Sequence, residues 1–299
     1  MPDLPPELRD TLSTLRPLRG RAWTLSPLAG GITNQNFMIQ VEGSEGAAGE
    51  AFVLRIAGAG TERLGIDRER EHACAVAAAE CGAACEVIAF LPEHHSLVVR
   101  YAPGRSLAPR DLEDAALLAR SVAALQLFHA GSEVPGRFRV PWTVAQYLKI
   151  AHEGGVRLPM EIARLATRLQ SEMETIGVQS LRPCHNDLLP ANLIDDGERV
   201  RLIDWEYAAM GDPWFDLGNL AENNLLSEPA ERRLLKLYLG NASDKDLARL
   251  RQMRFASAMR EAAWGFAQVA VSELDFGFAA YGEKHLERAK KLSEETETP

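Results

Sequence analysis

The chain has 299 residues, of which 46% are hydrophobic and 25% are charged. This balance is typical of a soluble globular protein, and the length suits one large domain or two lobes with a cleft. A net charge of -9 and the lack of a basic stripe argue against a dedicated nucleic-acid binder. The acidic balance favours a small cationic substrate over a polyanion.

Targeting signals and cysteine usage indicate the compartment. The N-terminal segment MPDLPPELRDTL has neither the basic start nor the apolar core of a signal peptide. No apolar run approaches the roughly 18 residues that a membrane-spanning helix requires. Cys74, Cys81, Cys85 and Cys184 form no CxxC pair, which indicates free thiols in a reducing environment. We therefore predict a cytoplasmic protein without a membrane span.

The first hundred residues predict an antiparallel sheet with two helices. Apolar residues at helical spacing predict a leading helix from Leu4 to Leu15, and the segment IDREREHACAVAAAE predicts a second helix. Five strand-like runs are separated by turn residues. They extend from Trp23 to Leu28, Phe37 to Val41, Ala51 to Ile56, Cys85 to Phe90 and Ser96 to Tyr101.

A short connector, Ala102-Pro103-Gly104-Arg105, is the clearest boundary signal in the chain. It predicts a division into residues 1–102 and residues 103–299. Helical patterns dominate after it, and they run from Asp111 to His129, Val144 to Ile150, Glu161 to Glu174 and Met253 to Gln268.

A hairpin is predicted inside the most polar stretch of the chain, residues 184–219. Leu193-Ile194 and the run from Val200 to Ile203 have the pattern of two short strands. Asp195-Asp196-Gly197 supplies the turn between them. A tight hairpin places the loop before its first strand beside the loop after its second.

This hairpin predicts that Asp187, Asn192 and Asp204 converge at one end of the small sheet. Two carboxylates and an amide at one place form an oxygen-rich site suited to Mg²⁺. Taken singly, each of these residues could instead be a turn former bonded to nearby backbone.

The CHND-x4-N element at Cys184 and the later IDWEY element resemble the choline/ethanolamine kinase and aminoglycoside phosphotransferase superfamily, distant relatives of protein kinases. The resemblance extends from Gly30 to about Tyr281. It implies an α+β, bilobal protein-kinase-like fold, with a small antiparallel β N-lobe over residues 1–102 and a larger, mainly helical C-lobe over residues 103–299.

The resemblance also implies roles for the polar residues of this stretch. Asp187 becomes the catalytic base, and Asn192 and Asp204 become ligands of Mg²⁺. His185 and Asp216 are expected to support the catalytic loop by packing and hydrogen bonding. Asp187 would accept or orient the proton of the substrate hydroxyl.

For ATP, the resemblance implies a phosphate loop and a strand–helix ion pair, formed by Gly30, Gly31, Thr33, Asn34, Arg55 and Glu71. Arg55 stands where protein kinases have lysine, and arginine can contact phosphate with two N–H groups at once. A solvent-facing Arg55 remains the alternative from the strand pattern alone. Glu69 is the alternate partner for Arg55.

The acceptor is expected to be a small amine-bearing alcohol, because Trp264 matches one wall of the aromatic box of choline kinases. The residue three positions later, also Trp in eukaryotic choline kinases, is Ala267 here, which favours ethanolamine or another amino alcohol as much as choline. Glu206 and Glu222 are the acidic residues assigned to the substrate. Trp264 could alternatively be a core residue.

Other functions remain open at this point. An aminoglycoside or thiamine kinase would keep the chemistry and change the acceptor. A nucleotide-binding pseudokinase would lack a catalytic carboxylate, whereas this chain has the full set. A metal-dependent hydrolase would need further ligands, and the chain has no HxH or HxxxH pair. The choice between ATP and GTP and the formation of a homodimer are left open.

Overall fold

The computed structural model describes residues 4–28, 34–43, 49–58, 60–178 and 180–295. Its strands are β1 (Trp23–Leu28), β2 (Asn34–Val41), β3 (Ala51–Ala57), β4 (Val87–Leu91), β5 (Ser96–Arg100), β6 (Arg105–Ser106), β7 (Arg182–Cys184), β8 (Leu193–Asp195), β9 (Val200–Leu202) and β10 (Ala209–Gly211). Its helices are α1 (Pro6–Thr14), α2 (Arg68–Glu80), α3 (Ala115–His129), α4 (Val140–Glu153), α5 (Met160–Ile176), α6 (Pro213–Asn223), α7 (Glu228–Leu239), α8 (Asp244–Val271) and α9 (Phe278–Glu295). Among these helices, none combines the length and apolar character that crossing a bilayer would need.

The N-terminal part forms the predicted five-stranded antiparallel sheet, in the order β1-β2-β3-β5-β4. Side chains alternate between the two faces of a strand. Phe52 and Leu54 of β3 are therefore fully buried in a core with Leu8 and Leu12 of α1. Arg55 lies on the opposite face, which lines the cleft between the lobes.

The C-terminal part is organised around α8, a helix of 28 residues. It starts earlier than the predicted Met253, because Ser243 and Asp246 form a reciprocal capping box at its N-terminus. From Phe255 to Gln268 every residue of α8 is buried. A helix buried on all sides is the centre of a lobe rather than an amphipathic surface element.

The predicted hairpin is present, with Leu193 paired to Leu202 and Asp195 paired to Val200. The connector after residue 102 adds β6 to this sheet, which the sequence did not indicate. Gly104 has a positive φ of 127°, and a Cβ there would lie 2.3 Å from the backbone oxygen of Asp195. Only glycine therefore lets the connector pass so close to β8. The domain boundary at residue 102 stays a prediction.

Candidate active site

Asp216, in the first turn of α6, organises the loop that carries the predicted base. Its carboxylate accepts hydrogen bonds from the backbone N–H groups of His185 and Asn186, both at 2.7 Å. The imidazole Nε2 of His129 lies 2.9 Å from the same carboxylate. Asn186 has a positive φ of 64°, a conformation that costs energy in a non-glycine residue. The bonds to Asp216 hold it there.

His185 connects Asp187, the predicted base, to the end of the hairpin. Its Nε2 lies 2.9 Å from the carbonyl oxygen of Ile203, and its Nδ1 lies 3.3 Å from the backbone nitrogen of Asp187. Burial lowers the pKa of His185, so the ring is neutral at pH 7. A neutral ring that donates from Nε2 and accepts at Nδ1 satisfies both bonds. Both ring nitrogens of His185 therefore bond to the backbone around Asp187 and Ile203.

Replacing Asp216 with asparagine is expected to lower the free energy of unfolding by about 3 kcal/mol, measured by urea denaturation. The carboxylate of Asp216 accepts from three groups, whereas an amide has only one acceptor oxygen. The NH₂ group of the amide would face an N–H donor. Asp114→Asn is the matched control, because Asp114 caps α3 and asparagine caps a helix N-terminus as well as aspartate. Equal losses in the two variants would contradict the role of Asp216.

The structure brings Asp187, Asn192 and Asp204 together, as the hairpin argument predicted. The side-chain Nδ2 of Asn192 donates to the backbone oxygen of Asp187 at 2.9 Å. The backbone N–H of Ile203 donates to the backbone oxygen of Asn192 at 3.0 Å, which places Asp204 next to it. Asp204 has a positive φ of 66°, so this corner of the site holds a second strained residue.

The residues present fit a magnesium ion. Asn192 uses its Nδ2 for Asp187, which leaves its Oδ1 as an oxygen ligand. Asn192 and the carboxylate of Asp204 line the same cavity of about 320 Å³ between the lobes. An amide oxygen and a carboxylate on one wall are the hard donors that Mg²⁺ prefers.

A chain of ion pairs joins the two lobes at this cavity. Arg55 binds both Asp204 and Glu71. The second carboxylate oxygen of Glu71 lies 2.6 Å from Arg68, which also lies 3.3 Å from Glu206. The side chain of Arg55 is only 13% exposed, so the solvent-facing alternative for this residue is wrong.

The cap of α2 explains why Glu71 rather than Glu69 meets Arg55. The side chain of Asp67 accepts from the backbone N–H groups of Glu69 and Arg70 and starts the helix there. A helix that starts at this residue turns Glu71 toward β3, where it is 2% exposed, and leaves Glu69 exposed. The alternate choice of Glu69 is therefore excluded.

The remaining residues predicted for ATP are only partly described. Gly30, Gly31 and Thr33 lie outside the described residues. Asn34 is buried, and its Nδ2 donates to Glu206 at 3.1 Å. Apolar residues of both lobes, Val53 and Leu202 among them, line the same cavity as Arg55.

The opposite side of Asp187 holds a buried arginine that the sequence reasoning missed. Nη1 of Arg260 lies 2.9 Å from Asp187 and 2.6 Å from Glu261. Arg260 is 2% exposed. Burial raises the pKa of Asp187 to about 7, although the charge of Arg260 opposes this shift. A signal was available, because Arg260-Glu261 is a charged pair inside the apolar run of α8.

Aromatic residues surround this charged pair. Nε1 of Trp264 donates to the hydroxyl of Tyr207 at 2.9 Å, and the hydroxyl of Tyr281 donates to Glu261 at 2.7 Å. The ring centroids of Trp264 and Tyr281 are 5.5 Å apart. Trp264 is 7% exposed and belongs to the core of the C-terminal part.

Gly265 lets α9 bring Tyr281 to this place. A Cβ at Gly265 would lie 2.8 Å from the backbone of Gly282 on α9. Such a contact does not occur between ordinary residues, so the two helices can cross this closely only at glycine. Gly265, which directly follows Trp264, thus acts through backbone packing.

Glu206 and Glu222, both predicted to contact the substrate, are instead bonded to protein residues. Glu206 accepts from Asn34 and Arg68 of the N-lobe. Glu222 is fully buried and binds Arg254 and Arg288. A substrate could reach Glu222 only by displacing these arginines. Glu261, which the sequence analysis did not name, bonds to Arg260, a partner of Asp187.

The two lobes, the cleft between them and the carboxylates at its base define a phosphotransferase of the protein-kinase-like fold. Residues 24–253 match the model of the phosphotransferase enzyme family. The chain belongs to this family.

Three relatives illustrate the similarity. Protein LicA of Haemophilus influenzae is 27% identical over 277 residues, which cover 89% of this chain and 79% of that protein. Probable choline kinase 2 of Arabidopsis thaliana is 26% identical, with 95% of this chain and 91% of that protein covered. The crystal structure of a choline/ethanolamine kinase family protein from Mesorhizobium loti has a TM-score of 0.80 and 29% identity, and covers 98% of this chain and 95% of that one.

Proposed function

We propose that the protein transfers the γ-phosphoryl group of ATP to the hydroxyl of a small amine-bearing alcohol such as choline or ethanolamine. One observation carries the proposal. Asp187 bonds both to Asn192, which lines the cavity together with Asp204, and to Arg260, which also binds Glu261 beside Tyr281. A hydroxyl at Asp187 would thus have a nucleotide site on one side and an amine site on the other.

Asp187 would act on the acceptor hydroxyl. The oxygen of that hydroxyl forms a bond to the γ-phosphorus, the bond from the γ-phosphorus to ADP breaks, and the proton passes to the Asp187 carboxylate. The raised pKa of Asp187 makes its carboxylate a better proton acceptor. Most of the rate enhancement would come from position and charge rather than from the base alone.

Arg55, Asn192 and Asp204 would hold the nucleotide side. A magnesium ion at Asn192 and Asp204 would neutralise charge on the phosphate oxygens. Arg55 already binds Asp204 and Glu71, and it lines the cavity together with them. Contact with phosphate through two N–H groups is the geometry that arginine provides.

The charge of the buried cluster and the aromatic rings beside it support an amine as the second functional group of the acceptor. Asp187 and Glu261 share a single cation, Arg260, so the buried cluster carries one net negative charge when both carboxylates are ionised. Trp264 and Tyr281 add aromatic rings, whose faces attract cations. The names of the relatives, which include choline and ethanolamine kinases, agree with this acceptor class. We also infer a cytoplasmic enzyme.

Purified protein with Mg²⁺ and ATP should phosphorylate at least one member of a panel of amino alcohols, aminoglycosides and thiamine. Product formation is measured by ³¹P NMR, which also reports the linkage. Transfer to choline or ethanolamine with the lowest KM supports the proposal. Transfer only to an aminoglycoside or thiamine would replace the acceptor, and no transfer at all would reject the kinase activity.

A further inference from the structure

Arg260 has hydrogen-bond donors that the protein itself does not use. The residue is 2% exposed, and its Nη1 serves both Asp187 and Glu261. Among the described residues, no acceptor lies within bonding distance of its Nε or Nη2, although both atoms are buried. A buried donor of a charged group without an acceptor costs free energy that a folded protein ordinarily avoids. The two donors therefore point to an acceptor atom supplied from outside the chain.

The surroundings of Arg260 limit what that atom can be. The guanidinium carbon lies over the ring of Tyr207, 4.3 Å from the ring centroid, so a cation already occupies this face of the ring. The unused Nε and Nη2 atoms carry N–H donors and no acceptor. An ammonium group therefore has no place on this face of Tyr207, and the ligand group that meets the donors must accept hydrogen bonds.

The position beside Asp187 identifies the acceptor atom. Nη2 and Nη1 share one carbon, and Nη1 lies 2.9 Å from Oδ1 of Asp187. A ligand oxygen that is hydrogen-bonded to the Asp187 carboxylate thus lies within reach of the neighbouring N–H donors of the Arg260 guanidinium, whose planar shape is rigid. We propose that Arg260 binds the oxygen of the acceptor hydroxyl while that hydroxyl donates its hydrogen to Asp187.

This assignment rests on the proposed function and makes it more specific. Two groups then fix the hydroxyl, one through its hydrogen and one through its lone pair. Asp187 and Arg260 together then select an amino alcohol over an amine of similar shape without a hydroxyl. The amine without a hydroxyl would leave the Arg260 donors unpaired. Arg260 becomes an acceptor-binding residue that distinguishes alcohols.

A cycle of residue and ligand changes tests the proposal. Dissociation constants are measured by calorimetry in the presence of Mg²⁺ and a non-hydrolysable ATP analogue. Choline is compared with ethyltrimethylammonium and ethanolamine with ethylamine, and the second ligand of each pair lacks the hydroxyl. The native protein is expected to prefer the alcohol by about tenfold to a hundredfold, the size of one charged hydrogen bond. In Arg260→Gln this preference should fall to about threefold or less.

Arg254→Gln is the matched control, since Arg254 is another arginine of α8 that binds two buried carboxylates, Glu222 and Glu231. It should keep the full preference for the alcohol. If Arg260→Gln keeps the full preference for the alcohol, the assignment is overturned. Nε and Nη2 of Arg260 would then bind a water molecule instead of the hydroxyl. Loss of the preference in both variants would overturn it as well, because the effect would then be structural.

A second measurement covers the case in which Arg260→Gln does not fold. In the native protein, the ¹⁵Nε–¹H resonance of Arg260, assigned with Arg260→Lys, should shift on addition of choline and stay in place with ethyltrimethylammonium. Equal shifts with both ligands would overturn the proposal. If the native protein neither binds nor phosphorylates any amino alcohol, the proposed function fails and the inference fails with it. Phosphorylation with an unaltered preference removes only the role of Arg260.

Discussion

Asp187→Asn is expected to lower kcat by about a hundredfold to ten-thousandfold, the usual contribution of a general base. Asparagine fills the same space but cannot take the proton of the acceptor hydroxyl. The KM for ATP should change little, because Asn192 bonds to the backbone oxygen of residue 187, which the substitution keeps. Steady-state kinetics with the preferred acceptor measures both quantities.

Asp196→Asn serves as the control for this variant. Asp196 lies in the turn between β8 and β9, where it accepts from the backbone of Glu198 and Arg199. The turn is at the other end of the hairpin from Asn192 and Asp204, so kcat should stay the same. An unchanged kcat in Asp187→Asn would remove Asp187 as the base. A raised KM for ATP with normal kcat would instead assign it to nucleotide binding.

Asp204→Ala is expected to lower kcat/KM by about a hundredfold to a thousandfold at a fixed Mg²⁺ concentration. The loss should be accompanied by a higher half-saturating Mg²⁺ concentration, since one of the two proposed oxygen ligands is removed. Both quantities follow from rates measured over a Mg²⁺ titration at saturating ATP.

Arg55→Gln separates metal binding from the ion pair. It removes the partner of Asp204 and keeps the carboxylate. This variant should raise the KM for ATP by about tenfold, the size of one lost charged hydrogen bond, with a nearly normal Mg²⁺ requirement. If the two variants show the same Mg²⁺ dependence, Asp204 acts through Arg55 and is not a metal ligand.

Local patterns predicted the parts of the fold that depend on neighbours in sequence. The five strands of the antiparallel sheet follow from strand-like runs separated by turn residues. The convergence of Asn192 and Asp204 follows from the length of one hairpin. Both predictions required only spacing and turn residues, and the structure contains both features.

The partners of the charged side chains depended on the tertiary structure. Asn34 meets Glu206 across 172 residues, and Arg260 meets Asp187 across 73. Glu206 and Glu222 lie near motifs that predict substrate contacts, whereas the fold bonds both to other residues of the chain.

The sequence by itself determined the antiparallel sheet, the hairpin and the convergence of Asp187, Asn192 and Asp204, since these depend on short-range geometry and on a contiguous motif. Only the tertiary structure decided which glutamate pairs with Arg55 and which buried cation faces Asp187. The physical reason is desolvation: a buried charge must find an opposite charge or a hydrogen bond, and its partner is whichever group the packing of distant helices brings near. For Arg260 that packing supplies Asp187 and Glu261 on one nitrogen, and among the described residues it supplies nothing for the other two.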